Sequence, residues 1–284
     1  MRSLNHVFLR AQHLACALAV VAMPLAAGPT LAQSGEIVDL ATVEEHGAKA
    51  QIALLGEVHD NPVHHLSQAH LVQALAPRAV VWEMLTEDQA ARLTPERLAQ
   101  TDSLSALLDW DQSGWPEFSL YQPIFAAATN ARHYGAAVPR ADARAAMEQG
   151  AAVFFGADAA RFGLDQPLSE QDQLMREGEQ MAAHCDALPE TLLPAMVAIQ
   201  RLRDATLARS ALLALEQTGG PVVVITGNGH VRRDQGVPSI LAVAAPEIAV
   251  FALGQAEEGQ IAGTFDFLLD ARVVERPDPC AAFK

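Results

Sequence analysis

Residues 52–62 read IALLGEVHDNP, a short apolar run followed by polar and turn-forming residues. Four consecutive apolar residues that end at Gly56 are typical of a strand buried on both faces in a parallel sheet. Asn61 and Pro62 then indicate the start of a helix, because asparagine caps helices well and proline suits their first turn. The stretch therefore predicts a β-strand that leads through a polar turn into an α-helix.

The alternation of strands and helices continues along the first half of the chain. Apolar periodicity predicts helices at 62–75, 87–93, 95–108 and 123–133 and strands at 79–82 and 136–138. A strand, helix, strand, helix, strand order is typical of a right-handed parallel sheet. The first half therefore predicts an α/β fold.

A long stretch without strands interrupts this pattern. Residues 143–218 show only helical periodicity, with helices predicted at 169–183 and 187–217. Strands are predicted again at 222–225, 248–253 and 265–269. We therefore predict an α/β protein with a mainly parallel sheet flanked by helices and a smaller helical lobe formed by the insertion at 143–218.

Composition and charge exclude some classes of protein. The chain of 284 residues is 50% hydrophobic and carries a formal charge of −15. Such a composition is that of a globular protein rather than a disordered one. With no basic stripe to neutralise phosphates, nucleic acid is not an expected partner.

The N-terminus is typical of an exported protein. Arg2 and Arg10 precede the apolar run at 14–25, and small residues before Gln33 suit signal-peptide cleavage. We expect residues 1–32 to be a signal peptide and residues 33–284 to form the mature domain. Cys16 lies inside the apolar run and has no lipoprotein motif, so a periplasmic or secreted protein without a lipid anchor is expected.

Two cysteines remain after removal of such a peptide. Cys185 and Cys280 could pair in an oxidising compartment. The sequence leaves this disulfide open, because it does not give the distance between the two Cα atoms.

Polar residues follow the predicted strands. Ligands bind at the carboxyl ends of strands in open parallel sheets, so these side chains are expected to converge. The candidate catalytic residues are Glu57, His59, Glu83, Arg140 and His230. Carboxylates and imidazoles can hold a divalent metal such as Zn²⁺, Mn²⁺ or Fe²⁺, or act as general base and acid, while Arg140 could stabilise an oxyanion. The candidate metal ligands are Glu57, His59, Glu83 and His230. Each residue alone has the alternative of a helix cap or a salt bridge.

Other polar residues admit two interpretations. Gln200, Arg203 and Asp204 span about one helical turn and form either a solvated charged face or part of a binding site. Tyr121 is either a half-buried aromatic residue or a phenolate ligand of ferric iron. The histidines at 64, 65 and 70 lack the i, i+4 spacing of a helical metal pair and are expected to be mainly structural.

Several motifs together resemble one known family. They are LLGEVHDNP at 54–62, WEM at 82–84, PR at 139–140, HC at 184–185, Gln200 with RD at 203–204, and GNGHV at 227–231. In this order they resemble the ChaN family of iron-regulated haem-binding proteins, within the Tiki and erythromycin-esterase-like superfamily. The resemblance covers about residues 38–272.

The resemblance implies a fold, a cofactor and partners. It implies a parallel α/β core with a smaller helical lobe, and haem held as a cofacial pair between two subunits with tyrosine as the iron ligand. Here the ligand would be Tyr121, Tyr134 or a histidine such as His184. The candidate cofactor-binding residues are Tyr121, His184, Gln200, Arg203 and Asp204. A homodimer and an outer-membrane haem receptor system are the implied partners.

Two hypotheses follow. The first is an exported haem-binding protein of haem or iron uptake. The second is a metal-dependent hydrolase or peptidase, because superfamily relatives use the positions that match Glu57, His59, Glu83 and His230 for metal-dependent or acid–base hydrolysis. A third hypothesis, a non-catalytic partner-binding module, is supported by no feature of the sequence.

Overall fold

A computed structural model describes residues 34–278 and 280–281. The predicted signal peptide lies outside the described residues. Within them there are seven β-strands and twelve α-helices. The predicted α/β class is confirmed. No helix of this described part is long and apolar enough to span a membrane.

The seven strands form one parallel sheet in the order β1-β7-β6-β2-β5-β3-β4. The strands are β1 (Ser34–Ile37), β2 (Ile52–Leu55), β3 (Ala79–Trp82), β4 (Arg132–Gly135), β5 (Val222–Ile225), β6 (Val250–Glu257) and β7 (Thr264–Ala271). The chain leaves β2 toward β3 and β4, and leaves β5 toward β6 and β7 on the other side. The strand order therefore reverses at the centre of the sheet, where ligand sites of such folds lie.

Helices cover both faces of the sheet. They are α1 (Leu40–Gly47), α2 (Pro62–Leu75), α3 (Glu87–Ala91), α4 (Pro95–Leu98), α5 (Leu104–Leu107), α6 (Phe118–Ala127), α7 (Arg140–Gln149), α8 (Ala151–Phe155), α9 (Glu170–Ala183), α10 (Leu193–Thr218), α11 (Asn228–Val231) and α12 (Val237–Ala244). Alternate strand residues face opposite cores, because strand side chains alternate. Leu54 packs in the core with residues of α10, whereas Leu55 packs in the core with residues of α2 and α6.

The central strands confirm the predictions from apolar runs. The strands predicted at 52–55, 79–82 and 222–225 have these bounds, and every residue in them is buried. The helix predicted at 62–75 is also confirmed. Asn61 caps it through its Oδ1, which accepts a hydrogen bond from the Val63 N–H at 3.0 Å. The turn between β2 and α2 is therefore fixed locally.

The predictions near β4 were wrong in position. The helix predicted at 123–133 is α6, at Phe118–Ala127, and contains Pro123. The strand predicted at 136–138 lies at 132–135. Because β4 is an edge strand with an exposed Arg132 and only two buried residues, it contains no apolar run. In the apolar segment that follows it, the Ala136 N–H still donates to the Trp82 carbonyl oxygen at 2.9 Å.

The stretch predicted to lack strands is helical, but α7 and α8 at its start were not predicted as helices. The helix predicted at 169–183 is α9, and α10 begins at Leu193 rather than at 187. Strands β6 and β7 are longer than the predicted segments, and β1, α1 and α12 were not predicted. Cys185, just after α9, is bonded to Cys280 in the C-terminal segment, with their Cα atoms 5.5 Å apart.

Candidate functional site

The carboxyl ends of three adjacent strands form the candidate site. Strand β5 lies between β2 and β3. Glu57 follows β2, Glu83 follows β3, and the turn from Thr226 to His230 follows β5. Sequence-distant polar residues therefore meet at one edge of the sheet, as predicted.

Glu57 is the innermost carboxylate of this site. Its side chain is fully buried, and its Oε1 accepts a hydrogen bond from the Tyr121 hydroxyl at 2.8 Å and lies 2.7 Å from His59 Nδ1. Burial raises the pKa of Glu57, but the hydrogen bond from His59 and the charges of His59 and His65 outweigh it, so the pKa is lowered. Glu57 is therefore ionised and paired with the His59 ring.

His59 is the member of the cluster that solvent reaches. Its side chain is 32% exposed, and its Nε2 lies 3.9 Å from Glu83 Oε2. Its ring packs against Trp115 with centroids 4.8 Å apart. Burial lowers the pKa of His59, but the hydrogen bond to Glu57 and the charges of Glu83 and Glu57 raise it above its ordinary value.

Glu83 accepts hydrogen bonds from the turn after β5. The Thr226 hydroxyl and the Gly227 N–H donate to its Oε2 at 2.7 and 2.8 Å, and His230 Nε2 lies 3.2 Å from its Oε1. Burial raises the pKa of Glu83, but the nearby charge and hydrogen bond of His230 lower it far more. Glu83 is therefore a carboxylate held by fixed donors.

His230 lies between two buried carboxylates. Its Nδ1 is 2.6 Å from Asp204 Oδ1 on α10, and Gln200 Nε2 is 3.2 Å from the same nitrogen. Burial lowers the pKa of His230, but the charges of Glu83 and Asp204 raise it to about 10. His230 is therefore an imidazolium at neutral pH, and α10 contributes a residue to the site.

The neighbouring histidines shape the turn after β2. His64 Nδ1 accepts a hydrogen bond from the Val58 N–H at 2.9 Å, and His65 Nε2 lies 2.9 Å from the His59 carbonyl oxygen. Burial lowers the pKa of His64, which favours the neutral ring that this bond requires. His70 lies on the surface beside Glu44. These contacts agree with the predicted structural role.

The arrangement suits proton transfer better than metal binding. Each imidazole of the site faces at least one carboxylate: His59 lies beside Glu57, and His230 lies between Glu83 and Asp204. Among residues 34–278 and 280–281, no group of three or more His, Cys, Asp or Glu side chains has the geometry of a metal site. The predicted divalent metal ligands Glu57, His59, Glu83 and His230 therefore find no support as a metal centre.

Two predicted site residues stand apart from this cluster. Arg140 is the exposed first residue of α7, and the described structure shows no hydrogen bond or ion pair from it to the cluster. Its Nη2 lies 3.9 Å from where a Cβ on Gly114 would stand, close to the Trp115 loop. Arg203 is half-buried and makes no such contact either, although Gln200 and Asp204, one turn apart, both face His230.

The three candidate iron ligands differ in accessibility. Tyr121 is fully buried, and its burial and the charge of Glu57 raise its pKa far above the ordinary value. Tyr134 donates a hydrogen bond to Gln217 Oε1 at 3.0 Å and lines a cavity of about 750 Å³. His184 is half-buried, and its Nδ1 lies 2.8 Å from the Gln180 carbonyl oxygen.

Thr226 and Trp115 belong to the site but were not predicted from the sequence. Thr226 directly follows β5, a position that could have marked it as a strand-end residue. Trp115 comes from the loop before α6, and no periodicity connects that loop with His59.

The fold and the site define a parallel α/β protein with an acid–base cluster at the carboxyl edge of its sheet. Residues 44–241 match the family described as haem-binding uptake, Tiki superfamily, ChaN. The chain belongs to this family. No curated protein gives a significant match.

Solved structures with similar folds were also found. One is described as cofacial heme binding to ChaN of Campylobacter jejuni, with 20% identity and a TM-score of 0.61 over 79% of this chain and 88% of that one. The type III effector HopBA1 has 11% identity and a TM-score of 0.46 over 82% of this chain and 93% of that one. The first likeness agrees with the α/β fold.

Proposed function

We propose that this chain binds haem and acts in haem uptake. The observation that carries the proposal is the match to the ChaN haem-binding uptake family over residues 44–241. The similarity to a Campylobacter ChaN structure described with cofacial heme supports it. When bound, haem would supply an iron centre that a protein side chain can hold.

His184 is the residue that the described contacts favour for holding the haem iron. A carbonyl oxygen only accepts hydrogen bonds, so the Nδ1 of His184 carries the proton that it donates to Gln180. Nε2 is the ring nitrogen left to bind a metal, and a second nitrogen fixed by a backbone carbonyl is usual for metal-binding histidines. Half-exposed and next to the Cys185 disulfide, His184 is both accessible and anchored.

Tyr121 does not fit this role in the described conformation. Its hydroxyl is buried and donates to Glu57, and the adjacent carboxylate opposes formation of the phenolate that would bind ferric iron. Tyr134 is a second choice, since it lines a large cavity but is 9% exposed and bonded to Gln217. Gln200 and Asp204 already contact His230, so they act in the acid–base cluster rather than on haem.

The helical lobe offers apolar surface for a porphyrin. Leu174 and Met175 on α9 are 62% and 43% exposed, and Val153 on α8 is 70% exposed. No residue of α9 is fully buried. Exposed apolar side chains on a helix whose last residue directly precedes His184 suit a large flat apolar ligand.

The proposal includes export and self-association. Arg2, Arg10 and the apolar run before Gln33 support a cleavable signal peptide and a periplasmic or secreted protein. The Cys185–Cys280 disulfide supports an oxidising compartment. A homodimer that encloses haem, and transfer from an outer-membrane haem receptor system, complete the proposed role in iron uptake.

A haemin titration of residues 33–284, followed by the Soret band, tests the proposal. We expect saturable binding, a loss of the Soret shift in His184→Ala, and wild-type spectra in Tyr121→Phe and Tyr134→Phe. The matched control is His70→Ala, because His70 is a surface histidine beside Glu44 and outside the proposed site. Absence of saturable binding in the wild type contradicts haem binding. A normal spectrum in His184→Ala refutes only the ligand assignment.

A second candidate function is hydrolysis by the strand-end cluster. It is favoured by a specific observation: exposed His59 is coupled to buried Glu57 on one side and lies 3.9 Å from Glu83 on the other. Such a pair can accept and return a proton during attack by water. This candidate is acid–base catalysis by the protein's own side chains.

Ester hydrolysis in the presence of a chelator tests the second candidate. With a p-nitrophenyl ester, we expect His59→Gln to lower kcat about 100-fold or more, since general acid–base catalysis contributes roughly that much. His70→Gln, which alters a histidine outside the site, should retain the wild-type rate. A wild-type rate no higher than that of buffer with every ester offered excludes this function.

A further inference from the structure

A small cavity lies behind His230, between α9, α10 and α11. Its volume is about 190 Å³, and its lining includes Arg176, Gln180, Gln200, Asp204 and Gln235. Asp204 also binds His230 Nδ1, whereas Glu83 faces His230 Nε2. The cavity therefore adjoins the acid–base cluster on the side of the imidazole ring away from Glu83.

Arg176 is an unpaired cation in the wall of this cavity. Its Nε is buried without a hydrogen-bond partner, and within the described ranges the guanidinium forms no ion pair. Arg232, in the same lining, is paired with Glu179 and Asp234. Burying a donor without a partner costs about 1–3 kcal/mol, so Arg176 is suited to an anionic acceptor.

The charges beside Arg176 alternate in sign. Glu83, His230 and Asp204 form a row of carboxylate, imidazolium and carboxylate, with contacts of 3.2 and 2.6 Å. Burial raises the pKa of Asp204 above its ordinary value, while the charges of His230 and Arg176 act in the opposite direction. After Asp204, the positive Arg176 is the next charge in this row. A carboxylate bound at Arg176 would therefore be negative, and the alternation of charges would continue.

Gln235 supplies a complementary acceptor. Its Nε2 donates to Glu179 Oε2 at 2.6 Å, but its buried Oε1 has no hydrogen-bond partner among the residues that the structure describes. The cavity thus presents an unused cationic donor and an unused acceptor. A ligand that carries both a carboxylate and a hydroxyl group satisfies both.

Gly229 leaves room for such a ligand. A Cβ on Gly229 would have Gln200 Nε2, at 4.0 Å, as its nearest neighbour. Gly229 also lines the cavity. An alanine at this position would therefore narrow the cavity by one methyl group without a clash.

We propose that the cavity between α9 and α10 binds a small carboxylate at Arg176, with preference for a 2-hydroxy acid whose hydroxyl donates to Gln235. The carboxylate has two possible sources, a free acid or a propionate group of haem. The second source rests on the proposed haem-binding function. Binding here would couple ligand occupancy to the Asp204–His230 pair.

Calorimetric titration with sodium lactate tests the site. Sodium propionate is the comparison ligand, because it lacks the hydroxyl group, and sodium chloride is the control for ionic strength. We expect lactate to bind more tightly than propionate. Arg176→Gln should weaken lactate binding about tenfold or more, as expected for loss of a charge-assisted hydrogen bond. Arg97→Gln is the matched control, because Arg97 is an exposed arginine far from this lining.

Gly229→Ala keeps the test valid if Arg176→Gln does not fold. This variant retains every charge, and we expect a stable protein with weaker lactate binding. If both folded variants bind lactate as tightly as the wild type does, the proposal is overturned. Absence of lactate and propionate binding to the wild type excludes the free acid as the source.

Haemin and its dimethyl ester distinguish the second source. If a haem propionate occupies the cavity, Arg176→Gln weakens haemin binding but not binding of the dimethyl ester. Equal binding of both porphyrins to wild type and variant, together with no lactate binding, refutes the carboxylate site while leaving haem binding intact. Failure of both porphyrins to bind refutes the haem source alone.

Discussion

His230 Nδ1 lies 2.6 Å from Asp204 Oδ1, and both side chains are buried. This contact joins the turn after β5 to the middle of α10, the longest helix of the described structure. Because the opposite nitrogen of the ring faces Glu83, the imidazolium has a carboxylate on each side. The helical lobe thus helps to set the charge of a residue at the sheet edge.

Asp204→Asn should destabilise the protein. It leaves the His230 imidazolium with one carboxylate, and removing one partner of a buried pair costs about 3–5 kcal/mol. Since Glu83 still faces the ring, we expect a loss near the lower end of that range. Urea unfolding of the mature protein measures it. Asp102→Asn, at an exposed carboxylate, should change the unfolding free energy little, and an equal loss there would contradict the buried-pair explanation.

Stability should fall toward alkaline pH because of His230. Its pKa rises from 6.5 to about 10 on folding, so the native state holds this proton more tightly than the unfolded chain. The resulting stabilisation is fully present below pH 6.5 and is lost as the pH rises toward about 10. Urea midpoints across this range should decline in the wild type and decline less in His230→Gln. Parallel curves for the two proteins would contradict the assignment.

Tyr121→Phe separates a structural role from iron ligation. The tyrosine hydroxyl donates to the ionised Glu57, and hydrogen bonds to charged groups contribute about 1.5–3 kcal/mol. We expect a loss of stability of that order with an unchanged haemin spectrum. Tyr134→Phe, which removes a bond to the neutral Gln217, should cost about 1 kcal/mol. If Tyr121→Phe lost the Soret band but kept its stability, Tyr121 would be an iron ligand rather than a structural residue.

The centre of the fold was predictable because its strands are buried on both faces. Runs such as Val222–Ile225 have no polar residue, since each side chain enters one of two cores. Edge strand β4 was misplaced because its start is the exposed Arg132 and its two buried residues, His133 and Tyr134, carry polar atoms, so the strand has no apolar run. The apolar pattern therefore marks burial, and it marks strands only where burial is complete.

The site was predictable where it follows strands directly. Glu57, Glu83 and His230 each stand within five residues of a strand end, so the topology places them together. Whether Arg203 or its neighbours face His230 depends on the rotation of α10, which helical spacing alone leaves undetermined. The contact between the Tyr121 hydroxyl and Glu57 was not predicted either, because Tyr121 lies in α6, which begins five residues before the predicted start.

The disulfide should matter mainly for the helical lobe. Cys185 and Cys280 are 95 residues apart, and a link of that separation restricts the unfolded chain strongly, with a typical contribution of about 2–5 kcal/mol. Helix α9 has no fully buried residue, so the bond beside its C-terminus is a principal anchor. We expect Cys185→Ser/Cys280→Ser to lower the Tm and to increase amide exchange in α9 more than in the central strands. Dithiothreitol should lower the Tm of the wild type to that of the double variant and leave the variant unchanged. If dithiothreitol lowered the Tm of the double variant, or if amide exchange increased equally in α9 and β5, the disulfide would not stabilise the protein by anchoring α9.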